Sequence, residues 1–104
     1  MSSIVTSYDS VCAICGRPKT ATHHLIFGSG LRHLADRDGI YIPICDECHT
    51  SGRFRIHDNP VAESLSKIAG QLAWEKDYYK IGRSTENLDP AREEFRKRYG
   101  RSYL

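Results

Sequence analysis

Four cysteines stand in two Cys-x-x-Cys pairs, Cys12/Cys15 and Cys45/Cys48, with twenty-nine residues between the pairs. The pair His23-His24 lies inside that interval, His49 directly follows the last cysteine, and His57 comes eight residues later. Thiolates at this spacing suit a closed tetrahedral zinc, each pair giving two ligands from one tight turn. Iron in a rubredoxin-like site uses the same ligand count and stays open as the rarer choice. Cys45-Asp46-Glu47-Cys48-His49 also fits c-type haem attachment, but that reading demands export and leaves Cys12 and Cys15 idle. The imidazoles offer a second chemistry. A structural metal has every position filled, whereas a catalytic one keeps a position for water or substrate. His23, His24, His49 and His57 are the candidates for such an open site.

At 104 residues the chain has the length of one small domain, and with 39 % hydrophobic residues its core can be only modest. Such a chain gains from a staple. Two disulfides could serve, but the opening residues Met1–Asp9 carry neither a basic nor an apolar segment of the export type. The expected compartment is therefore reducing, and paired Cys-x-x-Cys then reads as metal binding. No apolar run approaches the length needed to span a membrane. Fifteen Lys and Arg against thirteen Asp and Glu leave a net charge of +2. That balance permits a nucleic-acid partner without proposing one.

The elements that must position these residues are short. Cys12–Gly16 reads as a knuckle, with Gly16 free to take a positive φ. Thr22–Phe27 is a strand candidate ended by Gly28-Ser29-Gly30, Leu31–Asp38 a short helical turn or loop, and Ile40–Ile44 a second strand. Pro43 in that strand suits an edge or a bulge. The second knuckle follows at once. Asn59-Pro60 is a helix start, with Asn as N-cap and Pro at the first helical position. Val61, Leu65, Ile68 and Leu72 recur at helical spacing, extended by Ala69 and Tyr79, and predict the buried stripe of a helix running to about Tyr79 and ended by Ile81-Gly82. Gly70 within it costs about 1 kcal/mol relative to Ala. Asp89-Pro90 starts a last helix whose apolar face is Ala91, Phe95 and Tyr99.

The segments Cys12-Ala-Ile-Cys15-Gly16, His23-His24-Leu25-Ile26, Ile42-Pro43-Ile44-Cys45-Asp46-Glu47-Cys48-His49 and Ile56-His57 resemble the HNH, or ββα-metal, endonucleases. The likeness is to small phage and prophage-type members with a four-cysteine zinc, and it covers roughly residues 12–60. It implies a zinc-stapled core of two short antiparallel strands and a helix over 12–60, and with the two C-terminal helices read above over 61–104 the chain is expected to be α+β. It also implies hydrolysis of DNA phosphodiesters that leaves a 5′ phosphate. By the family pattern His23 holds the catalytic metal and His24 is the general base, while His49 and His57 are further metal ligands. Cys12, Cys15, Cys45 and Cys48 hold structural Zn²⁺. Adjacent side chains of a strand face opposite ways, so His23 and His24 can serve one phosphate from two directions. An all-imidazole site suits Zn²⁺, Ni²⁺ or Mn²⁺ better than Mg²⁺, which works if water and phosphate fill its shell. Arg32, Arg37, Arg53 and Arg55 are candidates to grip flanking phosphates.

The chain departs from the family at the middle Asn of the motif, where it reads Asp36-Arg37-Asp38-Gly39. Asp38, or a backbone carbonyl, is the expected substitute that orients His24. The resemblance also implies the cytoplasm of a bacterial or phage-infected cell, a role in packaging or recombination, and weak or structure-directed specificity. Two chains pairing through Asp89–Tyr99 could place two sites on opposite strands. Against these expectations stands a plainer one, a zinc-stabilised DNA- or protein-binding module without catalysis. It accounts for the cysteines and the basic residues but not for four histidines at nuclease spacing. His33 has no motif partner and reads as a surface residue or a phosphate contact.

Overall fold

The computed structural model describes residues 3–28, 30–52, 55–80 and 89–104, without the side chains of Tyr79, Lys80 and Asp89. Expectations placed on Ser29, Arg53, the Tyr79 side chain and Ile81-Gly82 fall outside these residues. The elements are β1 (Ala21–His24), α1 (Leu31–Asp38), β2 (Tyr41–Ile44), a single wide helical turn (Glu47–Ser51), α2 (Pro60–Lys80) and α3 (Asp89–Tyr99). The chain is α+β, as expected.

β1 and β2 pair antiparallel, with Ala21 opposite Ile44, Thr22 opposite Pro43, His23 opposite Ile42 and His24 opposite Tyr41. Pro43 has no N–H to donate, yet its carbonyl accepts from the Ala13 N–H at 2.9 Å, which seats the first knuckle along β2. That knuckle is closed by Cys12 N–H to Arg17 O (2.6 Å) and Gly16 N–H to Cys12 O (2.9 Å), with Gly16 at φ +82°. The segment between the strands is a full helix rather than a loop. It stops where Gly39 N–H bonds Asp36 O and Ile40 N–H bonds Ala35 O. This paired arrangement satisfies the last carbonyls and turns the chain straight into β2.

α2 starts as its sequence predicts, with Asn59 Oδ1 accepting from the Ala62 N–H at 3.2 Å and Pro60 at the first position. Its apolar stripe does not face the core. Val61, Leu65 and Leu72 are 69 %, 60 % and 52 % exposed, and the buried positions are Ser66, Gly70, Gln71 and Glu75. A Cβ on Gly70 would sit 2.9 Å from Ile26 Cγ1, 3.0 Å from Ile40 Cγ2 and 3.1 Å from Leu25 Cβ. The missing side chain therefore lets the helix backbone rest directly on the residues flanking the strands. The polar residues beside it are tolerated because each is satisfied. Gln71 donates to Glu75 (2.8 Å) and accepts from the Tyr103 N–H (2.6 Å), and Arg92 donates to Glu75 at 3.3 Å.

α3 buries Ala91, Phe95 and Tyr99. Phe95 stacks on Tyr99 with ring centroids 4.5 Å apart and meets Trp74 edge-on at 5.5 Å. The apolar face of α3 is thus spent inside the chain. The core joins Leu25, Ile26, Ala35, Ile40, Ile42, Ile44 and Ile56 to Phe95 and Tyr99, so it runs through both the cysteine-bearing part and the C-terminal helices. No described helix is long and apolar enough to cross a membrane.

Candidate metal centres and the adjoining cavity

The two knuckles bring Cys12, Cys15, Cys45 and Cys48 together with all four sulfurs within 4.8 Å of one another, and with Cys15 and Cys45 Sγ 3.5 Å apart. Tetrahedral zinc with Zn–S near ~2.3 Å requires sulfurs ~3.8 Å apart, so the cluster has the size of that site. No disulfide joins them. Burial works against ionising Cys12, but backbone N–H groups of Cys15, Cys45 and Ile14 outweigh it and draw its pKa down to about 6. Cys48 is pushed the other way, by burial and by the neighbouring thiols. Four crowded sulfurs cannot all ionise without a cation among them, and a bound divalent ion supplies that charge. Arg17 of the first knuckle pairs with Glu47 of the second. Both are exposed, so the pair contributes little energy.

Three imidazoles form the second cluster. His23, the third residue of β1, points inward and is 1 % exposed. His49 follows Cys48 on the wide turn, whose closing bond runs from Gly52 N–H five residues back to Glu47 O. Ile56 N–H to Cys48 O and His57 N–H to His49 O then lay His57 alongside His49. One nitrogen of each ring lies within 4.8 Å of the others, and the two Nε2 atoms of His49 and His57 are 3.0 Å apart. Tetrahedral nitrogens at ~2.0–2.1 Å from zinc stand ~3.3 Å apart, so this group also fits one ion.

Contacts behind the rings determine which nitrogen each presents. Ser66 Oγ gives its one proton to Leu25 O at 2.8 Å. It must therefore accept from His23 Nε2–H, 2.9 Å away, which leaves the lone pair of His23 on Nδ1. His57 Nδ1 faces the Glu63 carboxylate at 3.8 Å, and Nε2 is the atom that meets His49. Phe27 packs edge-on against His23 and His57. Burial, and then the neighbouring imidazoles, lower the pKa of His23 to about 3, and the same causes lower that of His49. His23 and His49 thereby favour the neutral ring that a metal ligand must have.

His24 turns to the other face of β1. Its Nε2 lies 3.0 Å from Asp36 Oδ1, and Arg32 Nε donates to its Nδ1 at 3.4 Å. A guanidinium cannot accept a hydrogen bond, so Nδ1 carries the lone pair and Nε2–H donates to Asp36. That hydrogen bond holds the Asp36 carboxyl below its ordinary range. Asp38, the sequence-based choice for this task, is engaged elsewhere. It accepts from Trp74 Nε1 (3.1 Å), from two nitrogens of Arg98 (2.7 Å each) and from the Tyr99 hydroxyl (2.7 Å), tying the end of α1 to α2 and α3.

A cavity of about 200 Å³ is lined by Thr22, His24, Phe27, Arg32, His49 and His57, with His23 beneath it. Of the arginines singled out, Arg32 reaches this cavity. Arg37 is exposed on α1 and does not line it. Arg55 donates to Gly52 O and lies 3.9 Å from Asp58, bracing its own loop. His33 is exposed on α1. The residues missed from sequence are Asp36, Ser66, Glu63 and Phe27. Asp36 was findable, because Arg32 and Asp36 are four apart and share one side of α1 once that segment is a helix. Ser66 carried no signal.

Comparison of the chain with protein-family profiles, with curated proteins and with solved structures found no match. What stands is an α+β chain carrying a four-cysteine cluster and a three-histidine cluster, each of a size to hold a metal ion.

Proposed function

We propose that this chain is a metal-dependent endonuclease that hydrolyses DNA phosphodiesters, with His24 as general base. One observation carries the reading. His24 is held by Asp36 through Nε2 and presents a basic Nδ1 beside Arg32, in a cavity shared with two of the three clustered imidazoles. His23, His49 and His57 would hold the divalent ion, which when bound supplies charge stabilisation to the phosphate and the departing oxygen. Arg32 would leave its weak bond to His24 for a phosphate oxygen, freeing Nδ1 for water. His24 Nδ1 then takes the proton of that water as its oxygen attacks phosphorus, and the bond to the 3′ oxygen breaks, leaving a 5′ phosphate. Asp36 steadies the resulting imidazolium. The cysteine cluster would hold Zn²⁺ as a staple away from the chemistry.

The test is nicking of supercoiled plasmid with Mg²⁺, Mn²⁺, Ni²⁺, Zn²⁺ or EDTA. Folded His24→Ala should lose about 10²- to 10⁴-fold in rate. Asp36→Ala should lose less, since it removes the brace rather than the base, with metal affinity unchanged. A zinc-loaded, folded wild type that cuts nothing under any metal would leave the non-catalytic binding module as the reading.

A further inference from the structure

A second, larger cleft of about 620 Å³ opens between the N-terminal segment and the two strands, with Ser7, Tyr8, Asp9, Lys19, Thr22 and Tyr41 on its walls. Its volume is that of a ligand site. Two residues join it to the His24 cavity. Thr22 lines both. Tyr41 pairs with His24 across the strands, with ring centroids 5.9 Å apart. The cleft and the base's cavity thus adjoin along the paired strands.

We infer that this cleft holds unpaired nucleotides of the polynucleotide strand flanking the scissile phosphate, an assignment that rests on the nuclease reading above. An endonuclease substrate continues past the cleaved bond, and this cleft shares a wall, Thr22, with the base's cavity. Its lining matches the parts of a nucleotide. Lys19 supplies a cation for backbone phosphate, and Ser7 and Thr22 supply hydroxyl donors. Tyr8, 60 % exposed, offers a ring for a base to stack on. Asp9, the one carboxylate on the wall, repels phosphate but accepts from the exocyclic amine of cytosine or adenine. An acidic peptide would meet the repelling Asp9 carboxylate and bring no base to stack on Tyr8.

The experiment is fluorescence anisotropy of a short labelled single strand of alternating adenine and cytosine, with no divalent metal added and no chelator so that the cysteine site keeps its zinc, and with the strand checked for intactness on a denaturing gel. Wild type is compared with Lys19→Ala and Tyr8→Ala, both exposed positions whose folding is checked by circular dichroism. Lys19→Ala should bind more weakly and shrink the slope of log K against log salt by about 0.7. Tyr8→Ala should weaken binding about 5- to 100-fold, the worth of one stacked base. Wild-type plasmid nicking is scored alongside. Variants that lose the strand while wild type cuts nothing uphold the cleft and sink the nuclease reading. A cutting wild type whose variants bind the strand unchanged does the opposite. A wild type that ignores the strand, or prefers polyglutamate or the matching duplex, overturns the assignment.

Discussion

The nitrogen that a clustered imidazole presents depends on groups that are not themselves ligands. Ser66 is the clearest, because its hydroxyl spends its proton on Leu25 O and so compels His23 to present Nδ1. Ser66→Ala should weaken metal binding at the histidine cluster about 10- to 100-fold with the cysteine site still loaded, which titration calorimetry with Zn²⁺ or Mn²⁺ would measure. Ser66→Thr keeps the hydroxyl and should restore most of that affinity. Unchanged affinity in the alanine variant would remove Ser66 from the account. The same cluster gives a pH signature when metal-free. His23 falls from a pKa of 6.5 to about 3 on folding, through burial and then through His49 and His57. The unfolded chain takes up that proton first as pH falls. This residue's contribution is therefore whole above about pH 6.5 and drains away toward pH 3. Thermal melts of protein stripped of metal at this cluster should show Tm falling between pH 6.5 and 5, above the carboxylate range. His23→Asn should flatten that fall, and an equal slope in both proteins would contradict the assignment.

α2 shows how an element can be right in type and wrong in facing. Its cap, first residue and approximate length follow from sequence, yet the stripe Val61, Leu65 and Leu72 is exposed. Helix propensity alone says that Gly70→Ala should stabilise by about 1 kcal/mol. The packing says otherwise, because the added carbon would lie 2.9–3.1 Å from Ile26, Ile40 and Leu25, all buried. Overpacking of this kind costs about 1–3 kcal/mol, so Gly70→Ala should be net destabilising. Leu65→Ser on the exposed face should stay within about 0.5 kcal/mol of wild type. Urea melts of the two variants decide it, and a stabilised Gly70→Ala protein would mean that α2 does not sit where it is described.

For the whole molecule, the cysteine cluster and the hydrophobic core are one structure. Cys12 and Cys45 belong to the buried cluster that also holds Ile44, Phe95 and Tyr99. Removing the metal from the cysteines should therefore cost the fold and not merely a loop. Cys12→Ser should lose its cooperative melt and its tightly held metal. His57→Ala should keep both, and lose only the ion that exchanges readily. Elemental analysis with parallel circular-dichroism melts separates the two, and a Cys12→Ser variant that melts like wild type would show that the staple is dispensable.

Local chemistry was legible because it is written in neighbouring residues. Cys-x-x-Cys places two thiols on one turn, Asn59-Pro60 caps one helix, and alternation along a strand sends His23 and His24 to opposite faces. Each follows from bond geometry within a few residues. Periodicity showed that α2 has an apolar stripe, but which face is covered depends on what volume the strands leave, and the backbone at Gly70 fits there better than leucines do. Asp36 and Asp38 are equivalent on paper, both acidic and two apart. They diverge because Arg98 and Tyr99, sixty residues away, neutralise and satisfy one of them, leaving the other to His24. Such choices turn on charge and volume balanced between segments distant in the chain, which no local pattern encodes.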